Sequence, residues 1–237
     1  YNVDLIQLDE LSDFRGDMNI IYPIHMPLDF SDITKNNPDL NYTFQTHHEA
    51  IKELLDDWAR DIPKIEVTGV KGKTSTVFML KEILIDENPL ILSSLGAMLF
   101  EDDKKIMLKR DISIAPSNIK ETIDLAYKIA IFESSLGVSG IGDVGVLTNI
   151  IEDYPIAKSK SSASEAKKQV FRCNTVVCQK EAYDKFYSDI THDKVNTFSL
   201  TDKSANLYPG EINYSLDETT INLSFRDVKT INDNLVS

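Results

Sequence analysis

Residues 65–76 have the composition and spacing of a phosphate-binding turn. They read IEVTGVKGKTST, an apolar stretch followed by two glycines, the second of which opens a Gly-Lys-Thr triplet. Gly69 and Gly72 allow the backbone to approach phosphate oxygens, and the N–H groups at the start of the following helix supply positive potential. Lys73 would contact the outer phosphates, and the Thr74 hydroxyl would ligate magnesium. The pattern predicts a nucleotide phosphate site; the alternative is a β-turn that places a lysine at a helix start.

A glutamate ends an apolar segment further along the chain. Residues 129–133 read IAIFE, which is typical of a buried strand with an acid at its carboxyl end, the edge of an α/β sheet where ligands bind. Because magnesium prefers oxygen ligands, Glu133 is a candidate magnesium ligand; the alternative is a solvated acid at a strand end. In the glycine-rich loop at 137–145, Asp143 would either cap a turn or contact substrate.

Short apolar segments alternate with helical patterns along most of the chain. The apolar segments predict strands at residues 3–8, 19–23, 64–68, 129–133, 144–148 and 175–178. Apolar residues at three- and four-residue spacing predict helices at residues 46–62, 72–85, 117–128, 162–171 and 180–190. Alternating residues predict a β meander at 207–215 and 219–225. This order is typical of an α/β protein with a parallel sheet.

The strand that leads into the phosphate turn follows a polar helix, and we place a domain boundary there. Residues 1–62 are predicted to form a small Rossmann-like α/β domain on the substrate side, with a truncated start, because the sequence opens within a strand pattern. Residues 63–237 are predicted to form the nucleotide-binding domain that ends in the β meander, with no further C-terminal domain.

The bulk composition argues against several classes of partner. A net charge of -13 and a pI near 4.7 would repel a phosphate backbone, so we expect no nucleic-acid partner. No apolar run approaches the roughly 20 residues of a membrane span, and no signal-peptide pattern opens the chain, so we expect a cytoplasmic protein. The two cysteines, Cys173 and Cys178, indicate neither a zinc site nor a disulfide framework.

The phosphate turn resembles that of the Mur ligase central domain. That loop also opens with Thr-Gly and lacks the first glycine of the general Walker pattern, where this chain has Val67. The resemblance implies a P-loop domain that binds ATP and Mg²⁺, and a ligase in which a substrate carboxylate attacks the outer phosphate to give an acyl phosphate. The implied magnesium ligands are Thr74 and Glu133. The residues implied to surround the phosphates are Gly69, Val70, Lys71, Gly72, Lys73, Thr74 and Ser75.

Three further positions take their roles from this resemblance alone. Asn149, in the stretch TNIIEDY, would contact the nucleotide. Lys167 would be the carbamylated lysine that many of these ligases carry beside magnesium; the alternatives are Lys168 in that role or an ordinary solvated lysine. Tyr154 stands where many members have a histidine that helps to hold a second metal, so the presence of a second metal stays open.

The histidines lie mainly in the first fifty residues. Thr46 and Glu49 form a capping-box pattern, which places His47 and His48 in the first turn of a helix. Neighbouring helical side chains face different directions, so this pair is a poor chelate. His25, between a strand end and a proline, is the better candidate to face a substrate.

Several segments are similar to an archaeal branch of the Mur ligases that acts on a nickel tetrapyrrole. They are residues 23–27, 68–74, 135–138 and 149–157, which read PIHMP, TGVKGKT, SLGV and NIIEDYPIA. The similarity implies a small-molecule substrate whose propionate is phosphorylated and then attacked by a carbon atom of the same molecule, closing a ring in a cofactor of methanogenesis. The alternatives are an amide ligase that adds an amino acid to a murein or pseudomurein precursor, and a noncatalytic nucleotide-binding module. The oligomeric state stays open.

Overall fold

A computed structural model describes residues 16–36, 38, 41–58, 62–101 and 104–229. The strand predicted at residues 3–8 lies outside them. The α-helices are α1 (Phe30–Asn36), α2 (His47–Leu55), α3 (Lys73–Ile83), α4 (Ala163–Lys167) and α5 (Lys180–Phe186). The strands are β1 (Met18–Tyr22), β2 (Tyr42–Thr46), β3 (Lys64–Thr68), β4 (Pro89–Ser93), β5 (Gly96–Glu101), β6 (Lys104–Lys109), β7 (Ile129–Glu133), β8 (Val144–Leu147), β9 (Pro155–Ile156), β10 (Ser161–Ser162), β11 (Thr175–Gln179), β12 (Val195–Phe198), β13 (Leu207–Tyr214) and β14 (Thr219–Phe225).

A large, mostly parallel sheet forms the centre of the molecule. Its strand order is β14-β13-β12-β11-β8-β3-β7-β4-β5-β6. All neighbours from β13 to β4 pair in parallel, whereas β14 and the β5–β6 pair are antiparallel. The predicted α/β fold is therefore confirmed, with one correction: the sheet is mixed, because hairpins extend it at both edges.

The central strands are buried because helices cover the sheet. Val67, Leu92 and Phe132 have at most 1% of their surface exposed. Ile51 and Leu55 of α2 pack in the same apolar cluster as β4 and β7, and Val77 of α3 packs in a second cluster with β3. Strands covered on both faces carry near-continuous apolar residues, which explains why these segments could be recognised in the sequence.

A two-stranded parallel sheet of β1 and β2 precedes the large sheet in the chain. Its apolar cluster contains Ile20, Leu28 and Ile33. Helix α2, which follows β2 and precedes β3 in the chain, packs on the large sheet. The division of the chain at residue 62 stays a prediction.

The predicted strands agree with the structure better than the predicted helices, of which four need correction. The strands predicted from residue 19 onward are all present within one residue at each end. The helix predicted at 162–171 is α-helical only over Ala163–Lys167 and continues as a 3₁₀ helix over Lys168–Arg172, and the helix predicted at 180–190 ends at Phe186. The helix predicted at 46–62 is shorter and ends at Leu55. The helix predicted at 117–128 is wrong: a 3₁₀ helix occupies Pro116–Thr122. A 3₁₀ helix repeats every three residues, so Ile119 and Thr122 face the core with nearly the spacing of an α-helix. Among the described residues, no helix is both long and apolar enough to cross a membrane.

Candidate active site

The phosphate loop joins the end of β3 to the start of α3. Gly72 precedes the helix with a φ of +83°, a left-handed conformation that favours glycine. Having no side chain, Gly72 leaves the first N–H groups of α3 available to an incoming anion. Ser75 is exposed in the first turn, and the Lys73 amine lies 3.5 Å from the carbonyl oxygen of Val70. The loop therefore has the backbone geometry of an anion cradle.

Gly69 lies in close contact with the loop that follows β8. Its φ is +147°, and a Cβ atom there would lie 1.9 Å from the Thr148 Oγ1. The neighbouring residue Asn149 fixes the phosphate loop from the same side: its Oδ1 accepts the Lys71 N–H at 3.1 Å, and its Nδ2 donates to the Lys71 carbonyl at 2.9 Å. The Thr148 hydroxyl donates to the same carbonyl at 2.7 Å. In this structure, Asn149 thus contacts the phosphate loop; its role toward a nucleotide stays a prediction.

Thr74 and Glu133 meet at the carboxyl ends of β3 and β7. The Thr74 hydroxyl donates to Glu133 Oε1 at 2.8 Å, and the backbone N–H of Ser94 donates to Oε2 at 3.1 Å. The Ser94 hydroxyl lies 3.3 Å from the Thr74 hydroxyl. Only 3% of the Glu133 surface is exposed. Ser94, which sequence reasoning missed, follows β4, a strand that was not predicted.

This arrangement fits a magnesium ion. Magnesium takes hard oxygen ligands from one or two protein groups and completes its shell with water and phosphate oxygens. Thr74 and Glu133 provide a hydroxyl and a carboxylate side by side, next to the phosphate cradle. The described residues contain no cluster of three or more His, Cys, Asp or Glu side chains suited to a metal, so a metal here would depend on the nucleotide for further ligands.

Lys167 is a buried cation on α4. Its side chain is fully covered, and its amine donates to the Ser135 carbonyl at 2.7 Å and lies 5.7 Å from the centre of the Tyr154 ring. Burial, together with the nearby charge of Lys73, lowers the pKa of Lys167 to about 8, and Asp153 opposes this shift. Its neighbour Lys168 is exposed. Of the two candidate lysines, Lys167 is the one held close to the phosphate loop.

Asp153 anchors the start of α4, a role that the sequence did not reveal. Its carboxylate accepts the backbone N–H of Ser164 at 2.8 Å and the hydroxyl of the same residue at 2.7 Å. The buried Tyr187 hydroxyl donates to the Ser164 carbonyl at 2.7 Å. These contacts fix the short helix that carries Lys167.

The loop at residues 137–143 is held by a buried carboxylate of β3. Glu66 accepts hydrogen bonds from the backbone N–H groups of Ser139, Gly140 and Gly142 at 2.8, 2.8 and 3.1 Å. Asp143 accepts the first backbone N–H of β3 at 2.8 Å. Of the two interpretations of Asp143, the structure favours the one that anchors a turn.

Three of the four histidines, His25, His47 and His48, lie close to one another near the start of α2. The predicted capping box between Thr46 and Glu49 is present. The rings of His47 and His48 meet edge to face, with their centres 4.2 Å apart. His48 is buried, and desolvation lowers its pKa to about 3, with the charges of His47, Lys167 and His25 adding to the shift. His25 itself is exposed, and its role toward a substrate stays a prediction.

The fold is that of the Mur ligases. A solved UDP-N-acetylmuramoyl-L-alanyl-D-glutamate–2,6-diaminopimelate ligase superimposes with a TM-score of 0.54 at 18% identity, over 90% of this chain and 52% of that chain. No protein-family model matches the chain. The chain is thus Mur-ligase-like in its fold.

In sequence, the chain resembles coenzyme F(430) synthetases. It is 32% identical over 160 residues to that enzyme of Methanosarcina acetivorans, covering 64% of this chain and 34% of the relative. It is 30% identical over 162 residues to that of Methanocaldococcus jannaschii, covering 67% of this chain and 34% of the relative. The chain therefore spans about a third of the length of the curated relatives it matches.

Proposed function

We propose that this chain binds Mg-ATP and supplies the phosphoryl-transfer site of a ligase that activates a carboxylate. The observation that carries the proposal is the juxtaposition of the phosphate loop with the Thr74–Glu133 pair, 2.8 Å apart at the ends of adjacent strands. Phosphoryl transfer depends mainly on positioning and on neutralising charge. Positioning and charge neutralisation would come from the α3 N-terminus, from Lys73 and from a cation held by the Thr74–Glu133 pair.

In the proposed reaction, a substrate carboxylate oxygen forms a bond to the outer phosphorus of ATP. The bond from that phosphorus to the bridging oxygen breaks, and ADP leaves. A nucleophile that gives up its proton to solvent then forms a bond to the acyl carbon, the bond from that carbon to the phosphate oxygen breaks, and phosphate leaves. Lys73 would hold the outer phosphate. Lys167, which is close enough to Lys73 for their charges to interact, would lie on the side of the outer phosphate that faces the substrate.

The proposed substrate is the propionate of a nickel tetrapyrrole, with a carbon atom of the same molecule as the nucleophile. The similarity to two coenzyme F(430) synthetases supports this choice. We further propose that His25 faces this substrate, since its exposed ring lies close enough to His47 and His48 for its charge to lower their pKa values.

Turnover with defined substrates tests the function. ADP formation by the complete protein would be measured with a reduced nickel tetrapyrrole that carries a free propionate, and with an amino acid plus a nucleotide-linked peptide. We expect ADP only with the tetrapyrrole and none in Lys73→Ala. ADP formation only with the amino acid and peptide would replace this substrate by that of an amide ligase. ATP binding without ADP formation in either mixture would indicate a noncatalytic module.

A further inference from the structure

Glu66 is a buried carboxylate in the middle of β3, with only 1% of its surface exposed. Besides the three backbone N–H groups of the 137–143 loop, it accepts the Ser139 hydroxyl at 2.7 Å and the Cys173 thiol at 3.6 Å. Burial, followed by the charge of Glu66, raises the pKa of this thiol, which therefore stays protonated and can donate. A carboxylate is costly to bury unless donors replace its water, so Glu66 favours the one loop conformation that brings all these donors to it.

Stability alone does not require a carboxylate at this position. Well-packed apolar side chains often replace buried charged groups without loss of stability. A residue that fixes one conformation of a loop is useful where that loop positions something else. The question is therefore what the 137–143 loop contacts.

The backbone of this loop lies directly against the helical segment that carries Lys167. Gly137 has a φ of +100°, and a Cβ atom there would lie 2.1 Å from the Ala166 carbonyl oxygen. Gly140 has a φ of +87°, and a Cβ atom there would lie 2.6 Å from the Arg172 Cβ. Because no side chain separates the two segments at these points, the position of the loop determines where α4 and the following 3₁₀ helix can pack.

The residues that join this loop to β7 provide the acceptor for the Lys167 amine. The Ser135 carbonyl accepts that amine at 2.7 Å. Ser134, between Glu133 and Ser135, donates its hydroxyl to the carbonyl of Gly137. A shift of the loop would therefore move the Ser135 carbonyl and, with it, the Lys167 amine.

We propose that Glu66 is a positioning residue for the phosphoryl transfer, because it fixes the 137–143 loop and thereby holds the Lys167 amine against the Ser135 carbonyl. Glu66 acts through Lys167 and takes no part in the chemistry itself. The inference rests on the proposed function for the step that Lys167 serves.

Chemical labelling of lysine amines tests this positioning without any substrate. The whole chain would be treated briefly with acetic anhydride, and the modified fraction of each lysine would be measured by mass spectrometry. In the parent, the exposed Lys168 should be labelled and the buried Lys167 protected. Glu66→Gln keeps the side-chain shape but replaces one acceptor oxygen by an NH₂ group, which cannot accept the loop N–H groups. We expect the labelling rate of Lys167 to rise at least tenfold in this variant, with that of Lys168 unchanged.

Two further variants separate positioning from a general loss of stability. Asn196 is buried on β12, which β11 and β8 separate from β3, and its amide pairs with the backbone of Lys229 at 2.6 and 2.8 Å. Asn196→Ala should lower the melting temperature and leave Lys167 protected. Ser139→Ala removes one donor to Glu66 and should raise the labelling rate of Lys167 at least twofold. It decides the question if Glu66→Gln does not fold.

The kinetics of ADP formation by the complete protein provide a second readout. We expect kcat to fall at least tenfold in Glu66→Gln, whereas the KM for ATP stays unchanged, because Asn149 holds the phosphate loop through separate hydrogen bonds. Asn196→Ala should keep the kcat of the parent.

Two results would overturn the assignment. Parent-like protection of Lys167 in both Glu66→Gln and Ser139→Ala would show that Glu66 does not position Lys167, and would leave the proposed function standing. An equal rise in Lys167 labelling in Asn196→Ala would reduce the role of Glu66 to general stability. A parent that binds Mg-ATP but forms no ADP would instead remove the proposed function, and the labelling would by itself decide whether Glu66 positions Lys167.

Discussion

The Thr74 hydroxyl and the Glu133 carboxylate are 59 residues apart in the chain and 2.8 Å apart in space. They meet because β3 and β7 are parallel neighbours, paired from Lys64 with Ala130 to Val67 with Glu133. Thr74 is in the first turn of the helix that follows β3. The carboxyl ends of adjacent parallel strands thus bring a helix-start hydroxyl and a strand-end acid together.

Glu133→Gln should weaken magnesium-dependent nucleotide binding. Gln keeps the shape and can accept one of the two hydrogen bonds from Thr74 and Ser94, but it lacks the charge that a divalent cation requires. We expect ATP affinity in magnesium to fall about tenfold, equivalent to roughly 1.4 kcal/mol. Calorimetric titration with and without magnesium measures this effect, with the exposed Glu87→Gln as the matched control. An equal loss in metal-free buffer would show that Glu133 is structural.

Lys167 should react with carbon dioxide more readily than an ordinary lysine. Carbamylation joins the neutral amine nitrogen to the carbon of CO₂ and releases one proton. Because the folded pKa is lowered to about 8, the neutral fraction grows as the pH rises through about 8. At constant dissolved ¹³CO₂, a carbamate signal in ¹³C NMR should therefore increase between pH 7 and 9.

The two adjacent lysines provide a matched comparison for this reaction. The signal should vanish in Lys167→Gln and persist in Lys168→Gln, because Lys168 is exposed. A signal that survives in Lys167→Gln and disappears in Lys168→Gln would transfer the role to Lys168. Absence of any carbamate in the parent would leave Lys167 as an unmodified buried cation.

His48 should make the fold sensitive to acid. Its pKa is lowered to about 3 in the folded chain, from an ordinary value of 6.5, so the unfolded chain binds a proton at a higher pH than the folded chain does. The contribution of neutral His48 to the free energy of unfolding is fully present above about pH 6.5 and is lost as the pH falls toward 3. His48→Gln should reduce the decrease in the free energy of unfolding between pH 7 and 4.5, measured with urea. The exposed His25→Gln is the control, and an unchanged decrease in His48→Gln would rule out His48 as the cause.

The sequence was most informative where local chemistry and fold requirements coincide. The glycines of the phosphate loop, the apolar strand before them and the helix after them are all required by one local conformation. Glu133 was recognisable because it ends a strand whose other residues are apolar. These features need no knowledge of distant neighbours.

The sequence was least informative where tertiary contacts decide the structure. The hairpin of β5 and β6 was missed, since β6 is largely exposed and carries little apolar pattern. Missing β4 also hid Ser94, whose N–H fixes Glu133. Residues 56–62 continue the polar helical pattern, but α2 ends at Leu55, before Asp56 and Asp57, whose charges disfavour a helix carboxyl end.

Direct measurement of Mg-ATP binding tests the central claim, that residues 68–75 form a nucleotide phosphate site. Calorimetric titration of the parent chain, of Lys73→Ala and of the exposed Lys104→Ala separates the phosphate contact from the overall loss of one positive charge. A hydrogen bond to a charged group contributes about 1.5–3 kcal/mol, so we expect Lys73→Ala to weaken binding roughly tenfold to a hundredfold and Lys104→Ala to bind as the parent does. Equal affinity of the parent and Lys73→Ala for Mg-ATP would contradict the account.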